Sequence, residues 1–558
     1  MSNWFREEWM ISNHQQRTFL TQLFKGVFEP ALILPHIKIT QEETEEEEKF
    51  LLRLKDFADK HIDGDRIYRE GEIPLEIHQG LSDLGIFSIT HTEEEGQQGF
   101  SLRTYFKALE IIAKHCVVTA QYVNKNLSAG VFALKRFGST EQQQRWLKPL
   151  MSGQAIAAFS FSEPQAGSDL ESMETTAIYD PEREIYQLNG EKVWTTFGST
   201  AGLFIVLAKT QEQAISAFLV TPDLPGLEIQ EKGAETQGSF RSSSRILLNN
   251  TEIPASHLFA SEGKGLFVYT FIQNIRRTGV GAICAGLTEY LKMRAVSYAQ
   301  NRKQFGKPLK DFGLIKQKIS MINSLSITLQ AVTAVTVSFL EAQQEKASLE
   351  TALLKIFASE TLWKVLFETM QIHGARSLSS GEPFLRIMQD ARAQLIGEGT
   401  NEVLTLMVAM MGIWSAYEPE QEEKPPIELR DRLWQKWESF NKWIFPTKSL
   451  FNPSETKSLC QATRSLGKNI QREWKTYGTQ LIEKQLVLKR ITSIVLNLYT
   501  ATCVIGKLRS RVNPSEIDTL LAKYDFHTSL DMIRRTLHGW QRNRDSELER
   551  VSDRVTEG

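Results

Sequence analysis

The sequence predicts a mainly helical α+β protein in which a short β domain separates two helical regions. Apolar residues follow a helical period through the first 157 positions, which indicates packed helices. From about 158 to 262 the pattern changes to short strands bounded by turn residues, and helical periodicity returns from about 265 to Trp414. At 558 residues the chain exceeds what one hydrophobic core supports, so we expect about three to four domains.

We place the domain boundaries where these patterns change. Residues 1–157 are expected to form an N-terminal helical domain, 158–265 a middle β domain of barrel or sandwich type, and 266–416 a helical bundle. The polar, proline-ended stretch 417–427 is expected to be a linker, and residues 428–558 a further helical region.

Composition and motif searches weigh against several protein classes. The four cysteines lie far apart without a CxxC pair and the ten histidines lack ligand spacing, so we expect neither a disulfide framework nor a metal site. GxSxG, HExxH, GxxxxGK[ST] and a GxGxxG after a strand are absent, which weakens hydrolase, P-loop and Rossmann interpretations. The chain has neither a strongly basic net charge nor a motif of a known nucleic-acid-binding fold, so nucleic-acid binding is not expected.

The N-terminus and the charge distribution bear on location. MSNWFREEWM lacks an apolar signal core, and no run of about 18 apolar residues appears, so we expect a cytoplasmic protein and leave the mitochondrial matrix open. Residues 428–558 hold 23 Lys and Arg against 15 Asp and Glu, a net +8, so the rest of the chain carries −10 of the total −2. A basic tail on an acidic body is suited to the anionic inner face of a membrane.

The stretch 427–445 has an amphipathic pattern that leaves two interpretations open. It predicts a helix whose Trp-rich apolar face lies in a membrane interface, which would make the region 427–448 a peripheral membrane contact. The same pattern suits a helix packed on the protein, and the two interpretations have about equal weight. The residues on the apolar face are Leu429, Leu433, Trp437, Phe440 and Ile444.

Four segments together indicate a known family. They are AFSFSEPQAGSD (158–169), NGEKVWTTFGS (189–199), AQNRKQFGKPLKDFGLI (299–315) and QIHGARSL…LRIMQDARAQLIGEGTNEV (371–403). Their order, spacing and residue identities resemble those of the acyl-CoA dehydrogenase flavoproteins. Two further stretches, FKGVFEPALILP (24–35) and QLVLKRITSIVLNLYT (485–500), are similar to the very-long-chain branch, which carries an extra helical C-terminal region.

The resemblance implies a fold and a reaction. The fold has a helical N-terminal domain, a small β domain and a four-helix C-terminal domain, with FAD between the β domain and the bundle. The adenine end of FAD would reach a second subunit, so a homodimer is expected. The reaction would be α,β-dehydrogenation of a long-chain acyl-CoA to trans-2-enoyl-CoA in fatty-acid β-oxidation, with electrons passed to an electron-transferring flavoprotein.

Glu398, in the stretch QLIGEGTNEV, matches the catalytic base of this family. Its carboxylate would remove the α-proton while the β-hydrogen leaves as hydride to flavin N5, and burial is expected to raise the pKa of Glu398. Its backbone N–H, with a ribityl hydroxyl, would polarise the thioester carbonyl. Some branches place the base where this chain has Arg276, so Glu398 stands alone. The implied substrate contacts are Ser168, Asn274, Arg277 and Gly399.

The resemblance also implies the residues that contact FAD. The short hydroxyls of Ser162 and Ser168 suit hydrogen bonds to the flavin ring edge, Trp194 would pack on the ring, and Thr196 would bind N5. The planar fork of Arg302 suits the pyrophosphate. The full set of implied cofactor contacts is Phe159, Ser162, Ser168, Trp194, Thr196, Arg302, Gln304, Phe305, Gln371, Gly374, Thr400 and Glu402.

Departures from the family pattern leave alternatives open. Ala375 and Ser377 replace glycines of the turn near FAD, where a positive φ would make them costly. Gly397 replaces the usual aromatic residue before the base. The stretch 121–126 is bulkier and more polar than a very long acyl chain requires, so chain length is not carried over. The alternatives are an acyl-CoA oxidase that uses O₂ and a catalytically weakened family member that acts as an assembly or scaffold protein.

Overall fold

The structure is a computed structural model, and its described residues form two compact units. It describes residues 17–37, 44–90, 99–210, 213–231, 243–343, 346–417, 451–511 and 513–556. The larger unit contains the described residues from 44 to 403, and the smaller unit contains residues 17–37 and those from 404 to 556.

The helices and strands follow the predicted order of helical, strand and helical regions, which confirms the fold class. The helices are α1 (Phe19–Phe24), α2 (Leu34–Ile37), α3 (Glu45–His61), α4 (Gly64–Glu70), α5 (Leu75–Asp83), α6 (Leu102–Ala113), α7 (Val117–Asn126), α8 (Ala133–Phe137), α9 (Thr140–Met151), α10 (Gly265–Asn301), α11 (Gly313–Ala342), α12 (Ser348–His373), α13 (Phe384–Ile396), α14 (Asn401–Tyr417), α15 (Pro453–Tyr477), α16 (Gln485–Ser510), α17 (Glu516–Gln541) and α18 (Asp545–Thr556). The strands are β1 (Ala157–Ser160), β2 (Thr176–Asp180), β3 (Ile185–Thr196), β4 (Leu203–Lys209), β5 (Ile215–Val220), β6 (Leu227–Glu231), β7 (Ser243–Pro254), β8 (Leu258–Phe259), β9 (Lys303–Gln304) and β10 (Lys307–Pro308).

The middle region of the larger unit is one mixed sheet. Its strand order is β6-β7-β3-β2-β4-β5-β8, and β1 pairs with β4 in parallel. Strands β4 and β5 are buried along almost their whole length because side chains pack on both of their faces. The pairing of β3 with β7 is irregular between Lys192 and Thr195. Such a bulge bends the strand and redirects a side chain, and this one lies within NGEKVWTTFGS.

Helix α10 forms the centre of the helical part of the larger unit. Nearly all its residues from 265 to 288 are buried. A side chain at Gly279 would collide with Asn124 of α7, and one at Gly281 would collide with Leu354 of α12. The two glycines therefore let α10 pass closely between α7 and α12, and these three helices carry most of the charged side chains of the site.

The smaller unit contains helices from both ends of the chain. Gly26 and Gly467 approach so closely that a Cβ on Gly467 would lie 2.5 Å from the Cα of Gly26. On α16, Gly506 gives room for Ile37. We expected residues 17–37 to belong with the N-terminal helices, and this placement corrects that boundary. The predicted linker, 417–427, and the amphipathic stretch, 427–448, lie outside the described residues apart from Tyr417.

Two helices satisfy the length and composition of a membrane span. Among the described residues they are α11 and α16, each with an 18-residue window of mean hydropathy 1.4. Neither helix is an uninterrupted apolar run, because Ser, Thr and Asn interrupt both. Within these windows 61% and 78% of the residues are buried in the protein, which is usual for core helices.

Candidate active site

The loop between α13 and α14 presents Glu398 in a strained backbone conformation. Glu398 has a φ of 58° and Gly399 a φ of 96°, whereas Gly397 has an ordinary φ of −63°. The left-handed region costs a non-glycine residue about 1–3 kcal/mol, so surrounding contacts must hold Glu398 there. Of the two flanking glycines, the backbone requires only Gly399. A Cβ at Gly397 would lie in ordinary contact, 3.5 Å from the carbonyl oxygen of Ala393.

Two buried cations hold this loop through its backbone. Arg277 Nε donates to the carbonyl oxygen of Glu398 at 3.2 Å. Lys355 Nζ, from α12, donates to the carbonyl oxygens of Gly399 at 2.6 Å and Leu395 at 3.2 Å, and to Asn401 Oδ1 at 2.8 Å. These three acceptors use all three ammonium donors of Lys355. Burial, with the nearby charge of Arg277 as a further cause, lowers the pKa of Lys355 to about 7.

Two more cations face the carboxylate of Glu398. Lys125 Nζ lies 3.7 Å from Oε1 and Arg276 Nη1 lies 3.8 Å from Oε2, and the Glu398 side chain is only 9% exposed. Burial raises the pKa of Glu398, but the charges of Arg276, Lys125, Arg277 and Lys355 together outweigh burial and hold that pKa below its ordinary value. The expectation of a raised pKa is therefore wrong, because it considered burial without these neighbours.

Lys125 connects the carboxylate to the β domain. Its Nζ also donates to Thr196 Oγ1 at 2.9 Å, so one ammonium contacts both the predicted base and the hydroxyl predicted to face flavin N5. Burial lowers the pKa of Lys125 to about 8, although the charge of Glu398 opposes this shift. A π-helical turn, Leu127–Phe132, follows directly after α7, and such turns occur frequently at functional sites.

The bulge in β3 places Trp194 at the surface of the β domain. Trp194 has a φ of 60° and its side chain remains 48% exposed. The N–H of Val193 donates to the carbonyl oxygen of Ser162 at 2.8 Å, which joins the end of β3 to the loop after β1. An exposed indole beside the hydroxyls of Ser162 and Thr196 has the chemistry to stack on a planar ring and to hydrogen-bond its edge. These residues therefore fit the isoalloxazine of a flavin.

A buried ion pair holds the loop that contains Ser162. Lys192 Nζ lies 2.7 Å from Glu163 Oε1, and the two side chains are 0% and 2% exposed. The Glu163 carboxylate also accepts the backbone N–H groups of Glu174 at 2.6 Å and Thr175 at 3.0 Å. Burial lowers the pKa of Lys192 to about 8. Both charges lie inside the two β-domain motifs, but the 29 positions between them hide their pairing from the local sequence pattern.

The ends of α10 and α12 meet where the remaining cofactor contacts were predicted. Tyr298 stacks on His373 with ring centroids 4.3 Å apart, which brings the segments around Arg302 and Gln371 together. Both of these predicted FAD contacts are exposed. The hairpin β9–β10 extends from this end, and Phe305 at its turn is 93% exposed.

The turn at 374–378 corrects the expectation of strain at the replaced glycines. Gly374 has φ 59° and ψ −144°, a conformation that is essentially restricted to glycine. Ala375 and Ser377 lie in the 3-10 helix Gly374–Leu378 and are not among the described residues with positive φ. The hydroxyl of Ser377 donates to the carbonyl oxygen of Gly374 at 2.8 Å. The replacements therefore fit the backbone, and they no longer support a weakened FAD site.

The other predicted residues fall into three groups. Phe159 is buried 5.5 Å from the Arg276 guanidinium, and Thr400 Oγ1 accepts the N–H of Val403 at the start of α14. Asn274 is fully buried, where its Oδ1 accepts hydrogen bonds from the hydroxyls of Ser348 and Thr351, and its contact with CoA stays a prediction. The exposed predicted residues are Ser168, Gln304 and Glu402.

A narrow pocket opens beside Glu398. Its free volume of about 20 Å³ is about that of one water molecule. Much of the lining is polar, which explains why the stretch 121–126 departs from the pattern expected for a long acyl chain. Residues that line it include Gln121, Asn124, Lys125, Val280, Gly397 and Glu398.

The two glycines beside Glu398 are expected to respond differently to replacement by alanine. Gly399→Ala introduces a side chain at a φ of 96° and is expected to destabilise the loop by about 1 kcal/mol or more and to reduce turnover. Gly397→Ala is the matched control because its φ is ordinary, and it should leave the free energy of unfolding nearly unchanged. Urea unfolding and steady-state turnover of both variants would check this. Equal destabilisation by the two changes would contradict the assignment.

Comparison with known proteins finds one family along most of the chain. Models of the acyl-CoA dehydrogenase N-terminal, middle and C-terminal domains match residues 44–154, 158–251 and 263–412. A probable acyl-CoA dehydrogenase of Bacillus subtilis is 32% identical over 373 residues, which cover 66% of this chain and 97% of the relative. The mitochondrial very long-chain specific acyl-CoA dehydrogenase of Macaca fascicularis is 30% identical over 415 residues.

The extent of these matches differs. The match with the Macaca fascicularis protein covers 71% of this chain and 62% of that relative, so the chain spans less than two thirds of its length. A crystal structure of an acyl-CoA dehydrogenase from Bacillus anthracis, complexed with FAD, has a TM-score of 0.77 and covers 90% of each chain. At 22% identity it shows a shared fold that includes the C-terminal helices.

Proposed function

The chain belongs to the acyl-CoA dehydrogenase family, and we propose that it is an FAD-dependent enzyme that converts an acyl-CoA thioester to the trans-2-enoyl-CoA. The observation that carries this proposal is the double contact of Lys125. Its ammonium lies against the Glu398 carboxylate and the Thr196 hydroxyl, so the predicted base and the predicted flavin side border one small space.

Within this proposal Glu398 acts as the general base. The α C–H bond of the substrate breaks and its proton passes to the carboxylate, which the buried loop aims into the pocket. Among the described residues, the backbone N–H of Glu398 donates to no protein group, so it is available to a thioester carbonyl oxygen. Arg277 holds the carbonyl oxygen of Glu398, and Lys355 holds those of Leu395 and Gly399, so the backbone is fixed on both sides of this N–H.

The residues that would hold FAD lie at two places in the larger unit. Trp194, Ser162 and Thr196 would face the isoalloxazine. Arg302 would bind the pyrophosphate, because a guanidinium pairs with phosphate oxygens. When bound, FAD supplies the two-electron acceptor for the β-hydrogen, which leaves the substrate as hydride.

Two observations bear on the acyl group of the substrate. The names of the very-long-chain relatives, which are about 30% identical to this chain, favour a long acyl chain. A role in fatty-acid β-oxidation is proposed from the sequence resemblance. The narrow pocket with Gln121 and Lys125 in its wall argues against an unbranched apolar chain next to Glu398.

The remaining parts of the proposal concern partners and location. The exposed hairpin with Phe305 supports a homodimer, because a second subunit would cover it and complete the FAD site. We propose an electron-transferring flavoprotein as the acceptor. A membrane contact through 427–448, and a cytoplasmic or matrix location, remain proposals that rest on the sequence pattern.

Absorbance of the purified protein tests the proposed function. We expect the absorbance bands of bound FAD. We also expect acyl-CoA thioesters to bleach these bands anaerobically, and the series tested runs from butyryl-CoA to palmitoyl-CoA and includes CoA thioesters of short dicarboxylic acids. Reoxidation by O₂ with stoichiometric peroxide would instead support the oxidase alternative. A flavin-free protein, or a flavin that none of these thioesters bleaches, would contradict the proposal and favour a scaffold role.

A further inference from the structure

We propose that the Glu398 pocket binds a negatively charged far end of the acyl group, so that the substrate is the CoA thioester of a short dicarboxylic acid. This inference rests on the proposed function and names the substrate class of the same pocket. It starts from Lys125 and Arg276, two buried cations that face one carboxylate.

The charges around the Glu398 carboxylate are unbalanced: Lys125 lines the pocket, and Arg276 lies behind it against the same carboxylate. The side chains of Lys125 and Arg276 are 14% and 5% exposed, and both face Glu398. Their distances of 3.7 and 3.8 Å exceed the roughly 2.7–2.9 Å of a charged hydrogen bond, so neither cation is directly bonded to the carboxylate. Each cation has one neutral hydrogen-bond partner, and the two share the single negative charge of Glu398, so a second carboxylate would balance the remaining positive charge.

The donors of both cations remain available to a ligand. Arg276 donates through Nε to Ser128 Oγ at 3.0 Å, and in the described part of the chain its two terminal nitrogens form no hydrogen bond. Lys125 donates one hydrogen bond, to Thr196, and retains two donors. A guanidinium fork beside an ammonium is a strong arrangement for binding a carboxylate.

Gln121 provides an independent sign that a polar ligand belongs here. It lies one helical turn before Lys125, so both side chains project from the same face of α7 into the pocket. Gln121 is 7% exposed, and its Oε1 is buried with no hydrogen-bond partner among the described residues. Because a side-chain amide carries donors and an acceptor, rotation of Gln121 would present its N–H₂ group to a ligand oxygen.

The spacing limits the length of the acid. A ligand carboxylate bound to either cation at about 2.8 Å lies within about 7 Å of the Glu398 carboxylate. Glu398 must also approach the α-carbon, so about two to four C–C bonds of about 1.5 Å each separate that carbon from the far carboxylate. This distance corresponds to diacids of about four to six carbons, and the pocket, whose free volume of about 20 Å³ holds one water molecule, must widen to admit them. In the reaction, Glu398 would still take the α-proton, and bound FAD would supply the acceptor for the β-hydride.

The test compares glutaryl-CoA with valeryl-CoA, which have the same number of acyl carbons and differ in the far carboxylate. We expect kcat/KM for anaerobic flavin reduction to be at least about 10-fold higher for glutaryl-CoA, since hydrogen bonds to charged groups contribute about this much. Lys125→Met should lower this selectivity at least about 10-fold. Lys148→Met, on an exposed position of α9, is the control and should leave the selectivity unchanged.

A binding measurement separates recognition from turnover. In Glu398→Gln, calorimetry is expected to give a lower Kd for glutaryl-CoA than for valeryl-CoA, and adding Lys125→Met should reduce that difference. In the unmodified protein, selectivity should fall as pH rises through about 8, because Lys125, whose pKa is about 8, then loses its charge. The charged groups that face Lys125 are Glu398 and Arg276.

The outcomes distinguish this inference from the function on which it rests. If valeryl-CoA or longer neutral thioesters reduce the flavin as efficiently as glutaryl-CoA, the inference fails while the dehydrogenase function stands. If no thioester of either kind reduces the flavin of the FAD-loaded protein, both fail. A selectivity for glutaryl-CoA that Lys125→Met leaves intact would also overturn the inference, because it would place recognition elsewhere.

Discussion

Replacing Glu398 by Gln is expected to lower kcat for acyl-CoA dehydrogenation by about 10³-fold, within the roughly 10²–10⁴-fold range of general bases. The amide keeps the size of the side chain and the left-handed backbone but cannot accept the α-proton. Bound FAD should remain at the level of the unmodified protein, because Trp194 and Thr196 are unaffected. Anaerobic stopped-flow bleaching and the ratio of flavin to protein absorbance measure the two effects.

A control variant and the pH dependence of turnover show whether the loss in kcat comes from Glu398 acting as the base. Glu141→Gln removes an exposed carboxylate from α9 and should leave kcat unchanged. A base must be deprotonated to act, so kcat/KM falls as pH drops through the pKa of Glu398, which Arg276 and Lys125 hold below its ordinary value. Lys125→Met should therefore move this acidic limb to higher pH. Bleaching that persists in Glu398→Gln would show that another group is the base.

Replacing Lys192 by Met is expected to destabilise the larger unit by about 3–5 kcal/mol, because it leaves the buried Glu163 carboxylate without its cation. The loop held by Glu163 carries Ser162, so FAD content should fall together with stability. Urea unfolding followed by circular dichroism, with flavin content measured in parallel, would show both changes.

Two comparisons test whether this loss comes from the buried charge. Combining Lys192→Met with Glu163→Gln should restore part of the stability, because the amide removes the unpaired charge. Recovery stays incomplete because Glu174 and Thr175 donate to different carboxylate oxygens and the amide keeps only one of these acceptors. Arg183→Met breaks the exposed pair with Glu252 on the same sheet and should leave the unfolding midpoint nearly unchanged. If Arg183→Met and Lys192→Met behave alike, burial of the pair is not the cause.

Local patterns in the sequence determined the order of the chain. Strand and helix periodicities reflect which face of each element is buried, so they indicated the β region to within a few residues of β1 and α10. The motif QLIGEGTNEV likewise located the loop and its carboxylate. Residues 17–37 could not be placed this way, because their partners on α15 and α16 lie more than 400 positions away.

Tertiary structure alone decided the chemistry around Glu398. A pKa depends on distances between charges, and the cations near this carboxylate come from α7, α10 and α12, which are far apart in sequence. The strained residue also turned out to be Glu398 itself, with Gly399, whereas Gly397 leaves space in the pocket. The sequence therefore determined which carboxylate the loop presents. Only the packing of three helices decided how acidic that carboxylate is and which acyl group fits beside it.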